Sequence, residues 1–136
     1  MIGSYLSERR RLQAVLFIMV LHSSVTGLLL IVLPGEWISG LGLQVHSQRF
    51  FACQGGVFHI LMAVAYGAGM IHPVRNAALI WFAVFVKVCA AVFLLSFFVM
   101  GDSVLFILLN AVLDGFLGGL LFFTYLGFLR TLRNEA

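Results

Sequence analysis

The chain has 136 residues, 62% of them hydrophobic and 10% charged, with a formal net charge of +3. Soluble domains carry about 25% charged residues. This composition, with a mean hydropathy of +1.12, therefore excludes an ordinary soluble fold.

Residues 1–11 form a short polar lead that contains Arg9, Arg10 and Arg11 and can extend the first helix at the interface. The first apolar segment covers residues 12–33. It exceeds the roughly 7–15 residues of a signal-peptide core and no small-x-small cleavage site follows, so it is expected to remain as a span. Pro34-Gly35 stops it. The connection 34–49 holds Trp37, Gly35, Gly40 and Gly42. Trp favours membrane interfaces, so this segment is expected to lie along the outer surface. Further apolar segments cover residues 50–71, 77–100 and 103–129, joined by tight turns at His72-Pro73 and Gly101-Asp102.

Each segment exceeds the roughly 20 residues needed to cross a hydrocarbon core. In lipid, only helices and closed barrels satisfy their own backbone groups, and these runs lack the alternation of barrel strands. The prediction is an all-α integral membrane protein: an antiparallel four-transmembrane-helix bundle forming one domain, residues 1–136. The two tight turns make the second, third and fourth spans successive antiparallel neighbours. Arg9, Arg10, Arg11, Arg75, Arg130 and Arg133 fall on one side, and Arg49 alone on the other. The positive-inside rule then places both termini in the cytoplasm. The basic excess is thus a topology signal, with membrane lipids and not nucleic acid as its partner. Trp81, Tyr66 and Tyr125 near the cytoplasmic ends, and Trp37 on the outer side, match an interfacial belt. Cys53 and Cys89 read as small buried hydrophobes.

Lys87 and Asp114 are the only full charges inside the apolar segments. Taking the last turn as centred near residue 101, Lys87 lies 14 residues before it and Asp114 lies 13 after. At 1.5 Å per residue their depths differ by only about 2 Å. The same counting about residue 73 puts His59 on that level, and His22 is at the middle of the first span. Asn110 shares the Asp114 face one turn earlier. Gly55, Gly67, Gly115, Gly118 and Gly119 are the expected helix-packing positions, because small residues let helix backbones approach. A Lys or Asp at the centre of a span costs about 2.5–3.5 kcal/mol, so pairing is expected. The pair reads either as a structural ion pair that fixes register or as a proton, ion or quinone-headgroup site. No metal site is expected; two histidines on two helices are too loose a criterion. No hydrolase triad, zinc-protease helix, phosphate loop or dinucleotide fingerprint is present. No catalytic residue is therefore assigned, and the chain is not expected to be an enzyme by itself.

Leu33-Pro34 closes the first span, and Arg49-Phe-Phe-Ala-Cys-Gln-Gly55-Gly56 opens the second. With the short later spans, this pattern resembles the DoxX-like membrane proteins and related small four-helix bacterial families. Some members look like quinone-linked subunits of sulfur-oxidising systems. The resemblance implies the inner membrane of a bacterium and a redox association. Lys87 and Asp114 map onto no motif of that family, so no active site carries over. The function expected first is an accessory subunit of a larger respiratory or photosynthetic membrane complex, packed against other integral subunits and bordering a quinone or lipid site. The alternatives are a quinone- or proton-handling redox subunit and a small proton-coupled transporter acting as a homo-oligomer, both using Lys87, Asp114 and His59.

Overall fold

The computed structural model describes residues 2–43, 49–101 and 104–135. Every regular element among them is helical: α1 (Ile2–Val32), α2 (Gly35–Gly40), α3 (Phe50–Ile71), α4 (Ala77–Met100) and α5 (Leu105–Glu135). Four of these, α1, α3, α4 and α5, are long and apolar enough to cross a membrane, which marks a multi-pass membrane protein. Part of the predicted outer connection (residues 44–48) and two residues at the predicted last turn (Asp102 and Ser103) lie outside the described residues.

Two helices run past their apolar segments, the first as the polar lead allowed and the last beyond its predicted end. α1 begins in the polar lead, and α5 continues beyond residue 129 through Arg130 and Arg133. Tertiary contacts explain the extension. The Tyr5 and Phe128 rings lie 5.7 Å apart, and Glu8 pairs with Arg11 at 2.7 Å one helical turn on. The apolar stripe of α5 (Leu121, Tyr125, Phe128) therefore has a partner in α1 after the sequence has turned polar. The outer connection also contains a helix that was not expected, α2, which buries none of its residues and leaves Trp37 exposed.

The helix ends are tied by side chains. α1 stops ahead of Pro34, and the Arg49 guanidinium reaches back to donate to the Ile31 and Leu33 carbonyls at 2.8 and 2.9 Å. Those carbonyls belong to the last turn of a helix, where backbone acceptors have no partner of their own. At the end of α3, Asn76 Nδ2 donates to the Ala68 carbonyl at 2.7 Å and Gln13 Nε2 to the Met70 carbonyl at 3.1 Å.

Packing is most extensive between α1 and α3 and between α4 and α5; α1 against α5 joins the two pairs. The core gathers Leu12, Leu16 and Met19 of α1 with Tyr66, Ile80, Tyr125 and Phe128. Tyr66 and Tyr125 are thus core residues, 2% and 1% exposed, and not members of an interfacial belt. Without a hydrophobic drive between helices in lipid, such contacts hold by close packing.

Small residues do this unevenly. A β-carbon on Gly27 would sit 2.8 Å from the Gly56 carbonyl oxygen, and one on Gly56 would sit 2.7 Å from that of Gly27. Neither glycine was among the expected packing positions. Of those that were, a β-carbon on Gly118 would press on Lys87 Cβ at 3.0 Å. Gly115 and Gly55 make ordinary contacts, and Gly67 and Gly119 would meet nothing within 4 Å. The last two glycines are therefore not at close helix crossings.

α3 and α4 pack least of all the touching pairs, although a tight turn joins them. They meet beside that turn, where a Gly69 β-carbon would lie 3.1 Å from Ile80 Cγ1. A short turn fixes one end of a helix pair and leaves the far ends free to splay. The space so opened is where the polar residues lie.

Candidate functional site

Asp114 lies on the buried stripe of α5. Ile107, Ala111, Asp114, Gly118, Leu121, Tyr125 and Phe128 alternate in steps of four and three, and all are buried. This is the spacing of the inward face of a packed helix. Lys87 occupies the matching stripe of α4 after Ile80 and Ala83. The two side chains are 2% and 6% exposed and hydrogen-bond directly, Lys87 Nζ donating to Asp114 Oδ1. Gly118, one turn after Asp114, lets the α4 backbone at Lys87 approach α5 closely. The charges expected to meet therefore do meet, away from the outer surface.

α1 adds a third group. His22 Nε2 lies 3.6 Å from the same Asp114 Oδ1, so one carboxylate faces a lysine from α4 and a histidine from α1. Burying either charge alone in hydrocarbon is costly, and removing one partner of a buried pair strands the other. The pair is electrically neutral as a unit, which is the state a low-dielectric interior tolerates.

Beside the pair is a cavity of about 270 Å³. His59 and Phe58 of α3 line one wall, Ala90 and Phe93 of α4 the other, with Lys87, Asp114 and Ser23 at its base. Phe58 and Phe93 are 60% and 65% exposed, so the cavity is a cleft that opens sideways, through the gap between α3 and α4. His59 faces this cleft and makes no hydrogen bond or ion pair to another described residue.

Asn110 does not join the cluster. Its amide donates to the Phe106 carbonyl of its own helix at 2.8 Å. A shared helix face placed it correctly in angle, but a back-bond to the preceding turn satisfied it locally. Sequence reasoning underrated two residues that do belong. Ser23 is 1% exposed and sits four residues after buried Met19 and four before tightly packed Gly27, a spacing that signals the inward face. Tyr66 lines the cleft from the turn-proximal side. Cys53 and Cys89 are free thiols, the first half-buried and the second exposed, so neither is the buried hydrophobe expected. Among the described residues, no three His, Cys, Asp or Glu side chains converge as a metal-ligand group. Chemically, the arrangement offers hydrogen bonds beside a neutral ion pair, in a cleft whose mouth is apolar.

Set against known proteins, the chain matches no family model, no curated protein and no solved structure.

Proposed function

We propose that this protein is a small accessory subunit of a larger membrane complex, respiratory or photosynthetic in kind, in which its cleft borders a quinone or lipid site. In this reading the four spans form an antiparallel bundle in the inner membrane of a bacterium, with both termini in the cytoplasm. The observation that carries the proposal is the joint placement of the Lys87–Asp114 pair and a laterally open cleft. A charge pair kept inside apolar helices supports a functional site by its cost alone, and the open side supports exchange with lipid or a neighbouring subunit. The DoxX-like resemblance belongs to the same proposal. Its residues Arg49 and Gly56 serve the α1–α3 pairing, as a cap for α1 and a close helix crossing.

Mild-detergent extraction of the native protein, with mass identification of co-purifying chains and a visible absorption spectrum, tests this reading. Stoichiometric integral partners support it. A solitary, monodisperse particle overturns it.

The contact of His22 with Asp114 favours a second reading, a proton- or quinone-handling redox subunit or a proton-coupled transporter. Two titratable side chains facing one oxygen of a third provide a place for a proton to reside. Asp114→Asn would then lower quinone-linked turnover or pH-driven flux while assembly stays intact. Unchanged turnover and flux would rule that reading out.

A further inference from the structure

We infer that the α3–α4 cleft binds an uncharged lipophile with a compact carbonyl or hydroxyl head, admitted sideways between Phe58 and Phe93. The inference rests on the membrane-subunit reading and names the ligand class of that site.

Ser23 is the first reason. Its hydroxyl is buried at the cleft base with the Tyr66 hydroxyl as its polar neighbour, and no well-formed hydrogen bond, not even to its own helix, satisfies it. A buried hydroxyl left incompletely bonded is costly. A ligand head at the base of the cleft would complete its hydrogen bonding. His59 on the facing wall can donate from one ring nitrogen or accept at the other.

Charge and depth restrict the class. Asp114 already neutralises Lys87. An anionic head would stand against the Asp114 carboxylate, and a cationic one against the Lys87 ammonium; a neutral head meets neither conflict. Lys87 and His59 both lie near the middle of their helices. That depth is about 15 Å from either edge of a roughly 30 Å hydrocarbon core. Phospholipid headgroups stay at those edges, so the polar group reaching this cleft belongs to a molecule that dissolves head and tail in hydrocarbon.

Size agrees. The volume of about 270 Å³ falls just below the roughly 300–1,000 Å³ of pockets that enclose whole drug-sized ligands. It suits one ring or one ester group. The tail then leaves between the two exposed phenylalanines into the surrounding lipid.

The test uses the full chain in phosphatidylcholine nanodiscs and two photoactivatable C16 probes with the same diazirine tail, one ending in a primary alcohol and one in a carboxylate. Crosslinked peptides are mapped by mass spectrometry. The alcohol probe is expected to label saturably around Phe58 and Phe93, at least fivefold above the carboxylate probe. Competition by decylubiquinone or by dioleoylglycerol then separates a quinone from a neutral glyceride as the source of the head. Ser23→Ala should lower saturable labelling threefold or more. Ala90→Phe, which fills the cleft, should abolish it at an unchanged unfolding midpoint. If Ala90→Phe does not fold, Ser23→Ala alone decides. Equal labelling by both probes, labelling spread over all lipid-facing residues, or labelling untouched by the variants would overturn the inference. None of those results bears on whether partner chains co-purify, so the subunit reading stands or falls separately.

Discussion

Helix α3 has two neighbours and treats them oppositely. Toward α1 it closes until the Gly27 and Gly56 backbones touch; toward α4 it packs less, with Gly69 close to Ile80 beside the turn and the cleft lined by both helices farther on. The closed seam has glycines at its crossing. The open one carries Phe58, His59 and Met62 against Val86, Ala90 and Phe93. Chain connectivity does not set closeness here: α1 and α3 are separated by the longest connection and pack tightly, whereas α3 and α4 share a tight turn and do not. Side-chain size at the crossing decides it, because lipid gives helices no hydrophobic reason to close a gap.

The largest effect is expected at the open seam. Asp114→Ala strands the Lys87 ammonium and should cost about 3–5 kcal/mol, the usual cost of breaking a buried pair. Replacing both partners, Lys87→Met with Asp114→Leu, should recover most of that loss. Reversible unfolding in mixed micelles measures both. A loss below about 1 kcal/mol for the single variant would mean that the open seam hydrates freely, and the contrast between seams would weaken.

At the closed seam, Gly56→Val forces new atoms against the Gly27 carbonyl and Ile31, and should cost about 1–3 kcal/mol by overpacking. The matched control on the same helix is Gly67→Ala. It meets nothing within 4 Å, and should instead stabilise α3 by up to about 1 kcal/mol through helix propensity. The same unfolding assay distinguishes the two. Equal losses would show that α1–α3 closeness does not depend on the glycine crossing.

The smallest effect belongs to the link between α1 and the start of α3. Arg49→Ala removes two hydrogen bonds to α1 carbonyls, and should cost about 1 kcal/mol because that site is exposed to solvent. Hydrogen exchange should show faster opening of the last turn of α1 and no change at Lys87. Loosening that reached Lys87 would join the two seams into one cooperative unit.

Much of this was legible in the residues. The four spans follow from length and composition, the level shared by His59, Lys87 and Asp114 follows from counting back from short turns, and His22 joins it as the middle of the first span. The continuation of α5 past residue 129 did not, because Tyr5–Phe128 packing holds the helix through residues that local hydropathy assigns to water. Asn110 was misplaced for a local reason, its bond to Phe106, and Gly67 and Gly119 because a small residue marks a crossing only where another helix arrives. The parting of α3 and α4 was illegible in principle: a turn of a given length constrains one end of two rods and says nothing of the other. The role of Ser23 could have been found by following the buried stripe of α1 through Met19 and Gly27.

Because a single Asp114 oxygen serves both Lys87 and His22, substitutions at these three positions are epistatic and their order matters. Exchanging Lys87 first leaves a carboxylate that still has the His22 ring beside it. Exchanging Asp114 first leaves an ammonium with no other carboxylate paired to it among the described residues. Sequence change can therefore pass through the lysine more easily than through the aspartate, and a pairwise mutant cycle read in both directions would show that asymmetry.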